Sequence, residues 1–237
     1  MVEHGSSCVK LIPMVPRGRR RGQRTDALSK ERIVTVAIEI LDTEGENALT
    51  FRALTARLGT GAGAIYWHVA NKDDLLAAAA DLVIAHAVTA GLDHTEPREA
   101  IRAIALGVFD ALNAHPWVGT QLAREPWQSA MLHLFEGIGR QLQALGTPEH
   151  AQFNSATTLM SYIVGLAAQY AAGARLHLRE TDRSAFLASV ATQWTREHDA
   201  ADYPFVHQQA MQLAEHDDRK LYLAGIDLIL TGIETLQ

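Results

Sequence analysis

An all-helical protein, a small N-terminal head followed by a larger helical bundle, is what this sequence predicts. Three observations lead there. Ala and Leu are abundant while aromatic residues make up 6% of the 237 residues, a composition that favours helix over strand. Apolar residues recur at three- and four-residue spacing in segment after segment, with no sustained strand-like alternation. Between Thr50 and Lys72 two short helices meet at a glycine turn.

Residues 1–27 hold Gly5, Pro13, Pro16, Gly18 and Gly22, with five arginines between Arg17 and Arg24. This stretch cannot build a core and is expected to be a disordered basic arm, able to lie along phosphates or enter a minor groove. Met14 is an alternative start. Ser29 caps a helix reaching about Thr43, with Ile33, Ala37, Ile40 and Leu41 on one face, and Gly45 ends it. Thr50 caps the next, whose face is Phe51, Leu54 and Leu58. Gly59 supplies the left-handed turn, and Thr60 is placed to start the following helix. That helix bears nothing larger than a methyl from Gly61 to Ala64, then Ile65, Tyr66, Trp67 and His68 together. Small residues leading and aromatics trailing suit a helix that approaches a rigid surface such as the DNA major groove. Residues 28–73 therefore form a helix-turn-helix domain.

A longer helix begins at Asp73, its two acids favouring the N-terminal end. After a break at Gly91 to Pro97, Ile101, Ile104, Ala105, Val108 and Leu112 mark the next, stopped by His115-Pro116 because the residue before proline avoids helical geometry. A short piece from Trp117 to Leu122 precedes Pro126. Met131, Leu134, Phe135, Ile138, Leu142 and Leu145 form a further stripe, closed by Gly146-Thr147-Pro148. The stretch from Glu149 to Leu176 is rich in small residues, so neighbouring backbones can come close. Ala185 to Glu197 reads as helix, Asp199 to Pro204 as loop, and the last helix runs from about Arg219 to Leu236, with Tyr222, Ile226, Ile229, Leu230 and Ile233 on one side. Residues 74–237 are the regulatory and dimerisation domain.

The formal charge of −6 is unevenly spread: residues 1–72 carry eleven Lys and Arg against seven Asp and Glu, residues 73–237 ten against twenty. A basic end on an acidic body can attract a polyanion. Cys8 is the single cysteine, which removes a disulfide framework. No run of eighteen apolar residues spans a bilayer and no usable signal peptide is present. A cytoplasmic protein without membrane attachment is expected.

The order of elements, and above all Ile65-Tyr66-Trp67-His68-Val69 followed by Asn71-Lys72 and Leu75-Leu76, resembles the tetracycline-repressor (TetR) family of bacterial transcription regulators. The likeness is strongest over residues 30–85, toward the branch holding the tetracycline repressors themselves. It implies a homodimer on double-stranded operator DNA, one recognition helix per half-site, about 34–36 Å apart for half-sites one turn apart. It matches Thr50, Tyr66, His68 and Lys72 to phosphate contacts, and Arg52 and Trp67 to positions that reach bases, Arg52 being suited to guanine. Thr60, Gly61, Ala62, Gly63 and Ala64 complete the expected DNA-facing set. Because Gly61 to Ala64 lack the larger groups of that branch, a different operator is expected, with methyl contacts to thymine from Ala62 or Ala64 and a contribution from the arm or from DNA shape.

The resemblance also implies a small-molecule effector in the bundle, of unknown identity, with no cofactor required. Candidate pocket residues are Phe109, His115, Trp117, Gln121, Trp127, Met131, Phe135 and Tyr162, large apolar groups with a few polar tips. Tetracycline repressors use histidines near the equivalents of helix ends here, with magnesium on the drug. His86 and His115 fall in those neighbourhoods, but the surrounding residues do not match, so tetracycline is not assigned and no metal is expected. The small-residue helix and the last helix are expected to form a four-helix dimer interface, testable at Gly165 or Ala168.

The competing classes are a helical enzyme and a DNA binder without an effector. The first lacks any assembled constellation: no His-Glu-x-x-His, no repeated Glu-x-x-His, no phosphate loop and no Ser-x-x-Lys, and His133 with Glu136 is a single pair. The expected function is therefore that of a ligand-responsive DNA-binding transcriptional regulator, a repressor released from a near-palindromic operator by a small-molecule inducer.

Overall fold

The computed structural model describes residues 28–91, 94–125, 127–177, 183–215 and 217–236. The expected basic arm, residues 1–27, lies outside them.

Among the described residues every regular element is helical. The head contains α1 (Lys30–Glu44), a 3-10 turn (Glu46–Ala48), α2 (Phe51–Leu58) and α3 (Ala62–Tyr66); the bundle contains α4 (Lys72–Gly91), α5 (Pro97–Ala114), α6 (Trp117–Arg124), α7 (Ser129–Ala144), α8 (Glu149–His177), α9 (Arg183–Glu197), α10 (Pro204–Ala214) and α11 (Asp218–Glu234). Ser29 caps α1 by accepting from the Arg32 N–H at 3.2 Å, and Asn71 does the same for α4 by accepting from the Asp74 N–H at 2.8 Å. Such caps satisfy backbone donors that a helix start leaves without partners.

The head packs Ile33, Ala37 and Ile40 of α1 around Leu54 and Ile65, all five fully buried. This core is continuous with the bundle through α4, which packs on α1 at one end and on α5 and α7 beyond. Gly107 permits a close approach of α5 to α4, since a Cβ there would sit 2.8 Å from the Ala87 carbonyl oxygen. Under α11, Tyr222 is fully buried and donates from its hydroxyl to the carbonyls of Ala105 (3.0 Å) and Ile163 (3.2 Å). Burial pushes this phenol far above the ordinary tyrosine range, so it stays a donor and pins α11 to α5 and α8. Arg98 adds an ion pair to Glu234 at 2.7 Å, and Arg102 pairs with Asp227.

Three expectations need correction. Residues 204–214, not anticipated as helix, form α10, which packs against α9; Pro204, read as the end of a loop, occupies the first helical turn, where its missing N–H costs nothing. The third helix is capped by Gly61 rather than started by Thr60, and it stops at Tyr66, leaving Trp67 and His68 on the turn that follows. Ala168 does not lie on a free face: its Cβ is where Gly119 of α6 comes close, 3.1 Å from a Cβ built at that glycine. A larger side chain at Ala168 would therefore part α6 from α8 within one chain, so Gly165, with open space around it, is the informative site.

Candidate DNA-reading surface and its seam with the bundle

The Thr50 hydroxyl accepts from the Ala53 N–H at 3.1 Å and starts α2. Gly59 ends it at φ 64° and ψ 34°, a left-handed conformation that costs a residue with a Cβ about 1 kcal/mol or more. The Thr60 N–H returns to the Thr55 carbonyl at 3.2 Å, closing the turn so that α3 leaves at a fixed angle. Ile65 anchors α3 in the head core, and the rings of Phe51 and Tyr66 stack with centroids 4.4 Å apart. With one side so fixed, the other side is presented outward. Thr50, Arg52, Gly61, Ala62, Gly63, Ala64, Trp67 and His68 are exposed, and Trp67 keeps 90% of its surface accessible. Thr60 is half-buried beside them. The Arg52 guanidinium makes no hydrogen bond or ion pair with any described residue. A large aromatic, an unpaired guanidinium and a helix start with nothing larger than a methyl form a surface with a free cation and room for close approach.

Tyr66 combines both of its expected roles, stacked on α2 yet half exposed. Lys72 differs from expectation: its Nζ donates to the Glu46 carbonyl at 2.7 Å in a partly buried setting, so part of its donor capacity holds the head together.

Behind this surface lies a polar seam where the head meets α5 and α6. Asp42, near the end of α1, accepts from Trp117 Nε1 at 2.8 Å and lies 2.8 Å from His115 Nδ1. Glu46 accepts from Arg124 at 2.8 and 3.0 Å. That hydrogen bond, with the charges of Arg124 and Lys72, holds the Glu46 carboxyl below the ordinary glutamate range. His115 and Trp117, expected in an effector pocket, contact the head through Asp42, which offers the buried indole N–H an acceptor, and His115 also lines a cleft by α1. Asp42, Glu46 and Arg124 were not singled out from sequence. Their partners lie more than seventy residues away along the chain, and no local pattern marks them.

The other pocket candidates divide three ways. Trp127, Met131 and Phe135 come together with Leu132, Phe153 and Met160 in an apolar groove between α7 and α8, about 330 Å³ in volume and free of charged side chains. Phe109 and Tyr162 belong instead to the packing under α11: Phe109 meets Tyr222 at 5.0 Å between ring centroids, and Tyr162 lies where a Cβ on Gly225 would stand. Gln121 is buried in α6, its carbonyl accepting from Gln128 Nε2 at 3.2 Å. His86 is apart from the apolar groove, lining with His115 a cleft of about 430 Å³ between α1, α4 and α5. His133 and Glu136 do not converge on one point, since His133 faces Asp81 at 3.3 Å and Glu136 pairs with Arg140 at 2.6 Å. Among the described residues no group of three or more metal-ligating side chains occurs, and no helix is long and apolar enough to cross a membrane.

This arrangement has counterparts. Residues 33–79 match the family model of bacterial regulatory proteins, tetR family, and residues 92–237 match that of the tetracyclin repressor-like C-terminal domain. A solved structure, the transcriptional regulator SCO7222, a TetR from Streptomyces coelicolor, is 50% identical, with a TM-score of 0.80 over 89% of this chain and 99% of that one. An HTH-type transcriptional regulator of Saccharopolyspora erythraea is 27% identical over 150 residues, 63% of this chain. The match spans 64% of that relative's length. The class D tetracycline repressor protein of Escherichia coli is 25% identical over 232 residues, 87% of this chain and 89% of that one. With one model matching the head, another matching most of the remaining chain, and half of the aligned positions shared with a regulator of the same fold, the chain belongs to the tetR family of bacterial regulatory proteins.

Proposed function

We propose that the protein is a homodimeric transcriptional repressor that leaves a near-palindromic operator when a small molecule binds its bundle. The observation that carries this reading is the outward face of α2 and α3. The face is fixed in position by the Gly59 turn and the Phe51–Tyr66 stack, yet its exposed groups have little to do within the monomer.

Two uncharged helix faces support the dimer. On α11, Leu221, Ala224, Leu228, Gly232 and Thr235 are exposed on the side away from the ion pairs with α5; on α8, Thr158, Ser161, Gly165 and Gln169 are exposed at helical spacing. Leu228 keeps 75% of its surface accessible. Two adjacent faces free of charge suit a four-helix interface with a second copy. Gly165→Glu would place a carboxylate in that interface, and is expected to yield monomers by size-exclusion chromatography with light scattering. A dimer that persists would place the interface elsewhere.

The groove between α7 and α8 has the size and apolar lining of a small-ligand site, and it suits an uncharged aromatic effector. Gln128 on its wall bonds to the Gln121 carbonyl, and α6 carries Trp117 and Arg124 to the head. An effector that binds more tightly to one setting of α6 would thereby bias the head. The class D relative is named for tetracycline repression, but the two histidines nearest to that role here line the cleft by α1 and not the apolar groove.

The reading is tested by selecting duplexes from a randomised library with the full-length chain. A near-palindromic motif bound by the dimer is expected; binding without sequence preference would overturn it.

A further inference from the structure

Behind its exposed Trp127 rim, the apolar groove between α7 and α8 carries two polar side chains, Gln128 and Thr157, and both present acceptors. Gln128 stands just before α7, yet its side chain makes no hydrogen bond to the start of that helix. Its Nε2 turns the other way and donates to the Gln121 carbonyl at 3.2 Å. This fixes the amide, because the flipped form would set one oxygen against another. Oε1 is thereby buried with no hydrogen-bond partner among the described residues. Thr157, on the α8 side, donates its hydroxyl hydrogen to the Phe153 carbonyl at 2.8 Å, so only the lone pairs of its oxygen are left.

Buried amide oxygens are almost always paired, and one without a partner costs free energy comparable to a lost hydrogen bond. The end of α6 does not depend on this amide. The Gln121 carbonyl also accepts from the Glu125 N–H at 3.1 Å, and an aliphatic side chain at position 128 would fill similar space with no polar group to satisfy. Gln128 is half-buried and lines the groove, so a modest turn about its soft terminal torsion brings Oε1 to a bound molecule.

The remaining lining states what else that molecule must be. Phe135 and Phe153 meet edge to face with ring centroids 5.9 Å apart, and Met131 and Met160 lie beside them. Ring and sulfur surfaces of this kind suit a flat aromatic. No cation lines the groove, so a carboxylate would lose its hydration with nothing in return. The Trp127 ring keeps 96% of its surface accessible, which leaves its N–H to water.

We infer that Gln128 sets the specificity of this groove: its Oε1 accepts a hydrogen bond from a hydroxyl on a neutral, fused-ring aromatic molecule, with Thr157 as a second acceptor. The inference rests on the reading of the groove as the effector site, and narrows that site from uncharged aromatics to those that donate.

The test is calorimetric titration of the full-length chain with three probes of similar shape: 2-naphthol, which donates; 2-methoxynaphthalene, which only accepts; and 2-naphthoate, which is charged. 2-Naphthol is expected to bind about tenfold more tightly than 2-methoxynaphthalene, the worth of one hydrogen bond to an otherwise unpaired acceptor, and 2-naphthoate more weakly than either. In Gln128→Leu the preference for 2-naphthol should vanish, with 2-methoxynaphthalene bound as tightly as before or tighter. The melting temperature of this variant should be kept or raised, since an orphan acceptor is removed; Gln128→Met takes its place if the branched side chain disturbs α7. Equal binding of 2-naphthol and 2-methoxynaphthalene by the unaltered chain, or a preference that survives in both variants, would overturn the inference while leaving the groove as an effector site. Tightest binding of 2-naphthoate, or binding of none of the three, would overturn the uncharged-aromatic reading of the groove as well.

Discussion

The reading surface and the seam behind it are built from neighbouring stretches of the head, but they treat polar groups in opposite ways. On the surface, Arg52, Trp67 and His68 are exposed, and the Arg52 guanidinium has no partner among the described residues. At the seam, Asp42 is held by Trp117 and His115, and Glu46 by Arg124, while Lys72 closes on the Glu46 carbonyl. Polar groups that stay solvated cost nothing in the free protein and remain available to a ligand; those satisfied internally make the head and bundle move as one. On the proposed reading, the contrast separates residues offered to DNA from residues that would transmit a change to it.

That separation predicts a graded series of effects. The largest falls at the seam: Trp117→Ala removes a buried ring together with the donor to Asp42, and should lower stability by about 3–5 kcal/mol in denaturant unfolding. A loss under about 1 kcal/mol would show that the seam does not hold the head. Smaller, and of the opposite kind, is Arg52→Ala. It should weaken operator binding by about 1–3 kcal/mol, relax preference at one base position and leave the melting temperature unchanged. A matching loss of stability would return Arg52 to a structural role. The smallest concerns acid. Because the folded state holds the Glu46 carboxyl below its ordinary range, this group adds stability above the unfolded pKa, and the contribution is lost as pH falls through the depressed folded value. Glu46→Gln should flatten that part of the stability profile below the ordinary glutamate range, and an unchanged profile would mean that Arg124 is not its partner in solution.

The head was legible because its signals are local. Ser29, Thr50 and Gly59 each act within five residues of themselves, and Leu54 and Ile65 follow helical spacing into one core. The bundle stripes were legible for the same reason, and the match of residues 92–237 to a C-terminal family model fits their order. What sequence did not disclose depends on distant partners. His115 and Trp117 have the chemistry of pocket residues, and only folding shows Asp42 waiting for them. α10 escaped notice because it has little core to fill: Ala210 is buried, while Phe205 and Met211 are largely exposed, so its apolar pattern is weak and Pro204 resembles a stop. In the groove, Trp127, Met131 and Phe135 were anticipated, but Phe153 and Met160 from α8 complete it through packing alone.

The most direct test of the DNA-reading surface is Ala62→Glu. Ala62 is exposed in the first turn of α3, where a carboxylate favours the helix start and leaves the fold undisturbed, but where it would face the DNA phosphates and base edges at close range. Binding of the selected operator duplex by this variant, measured alongside its thermal unfolding, is expected to be lost while the melting temperature is kept. Full operator affinity in a folded Ala62→Glu protein would contradict the assignment of α3 as the helix that enters the groove.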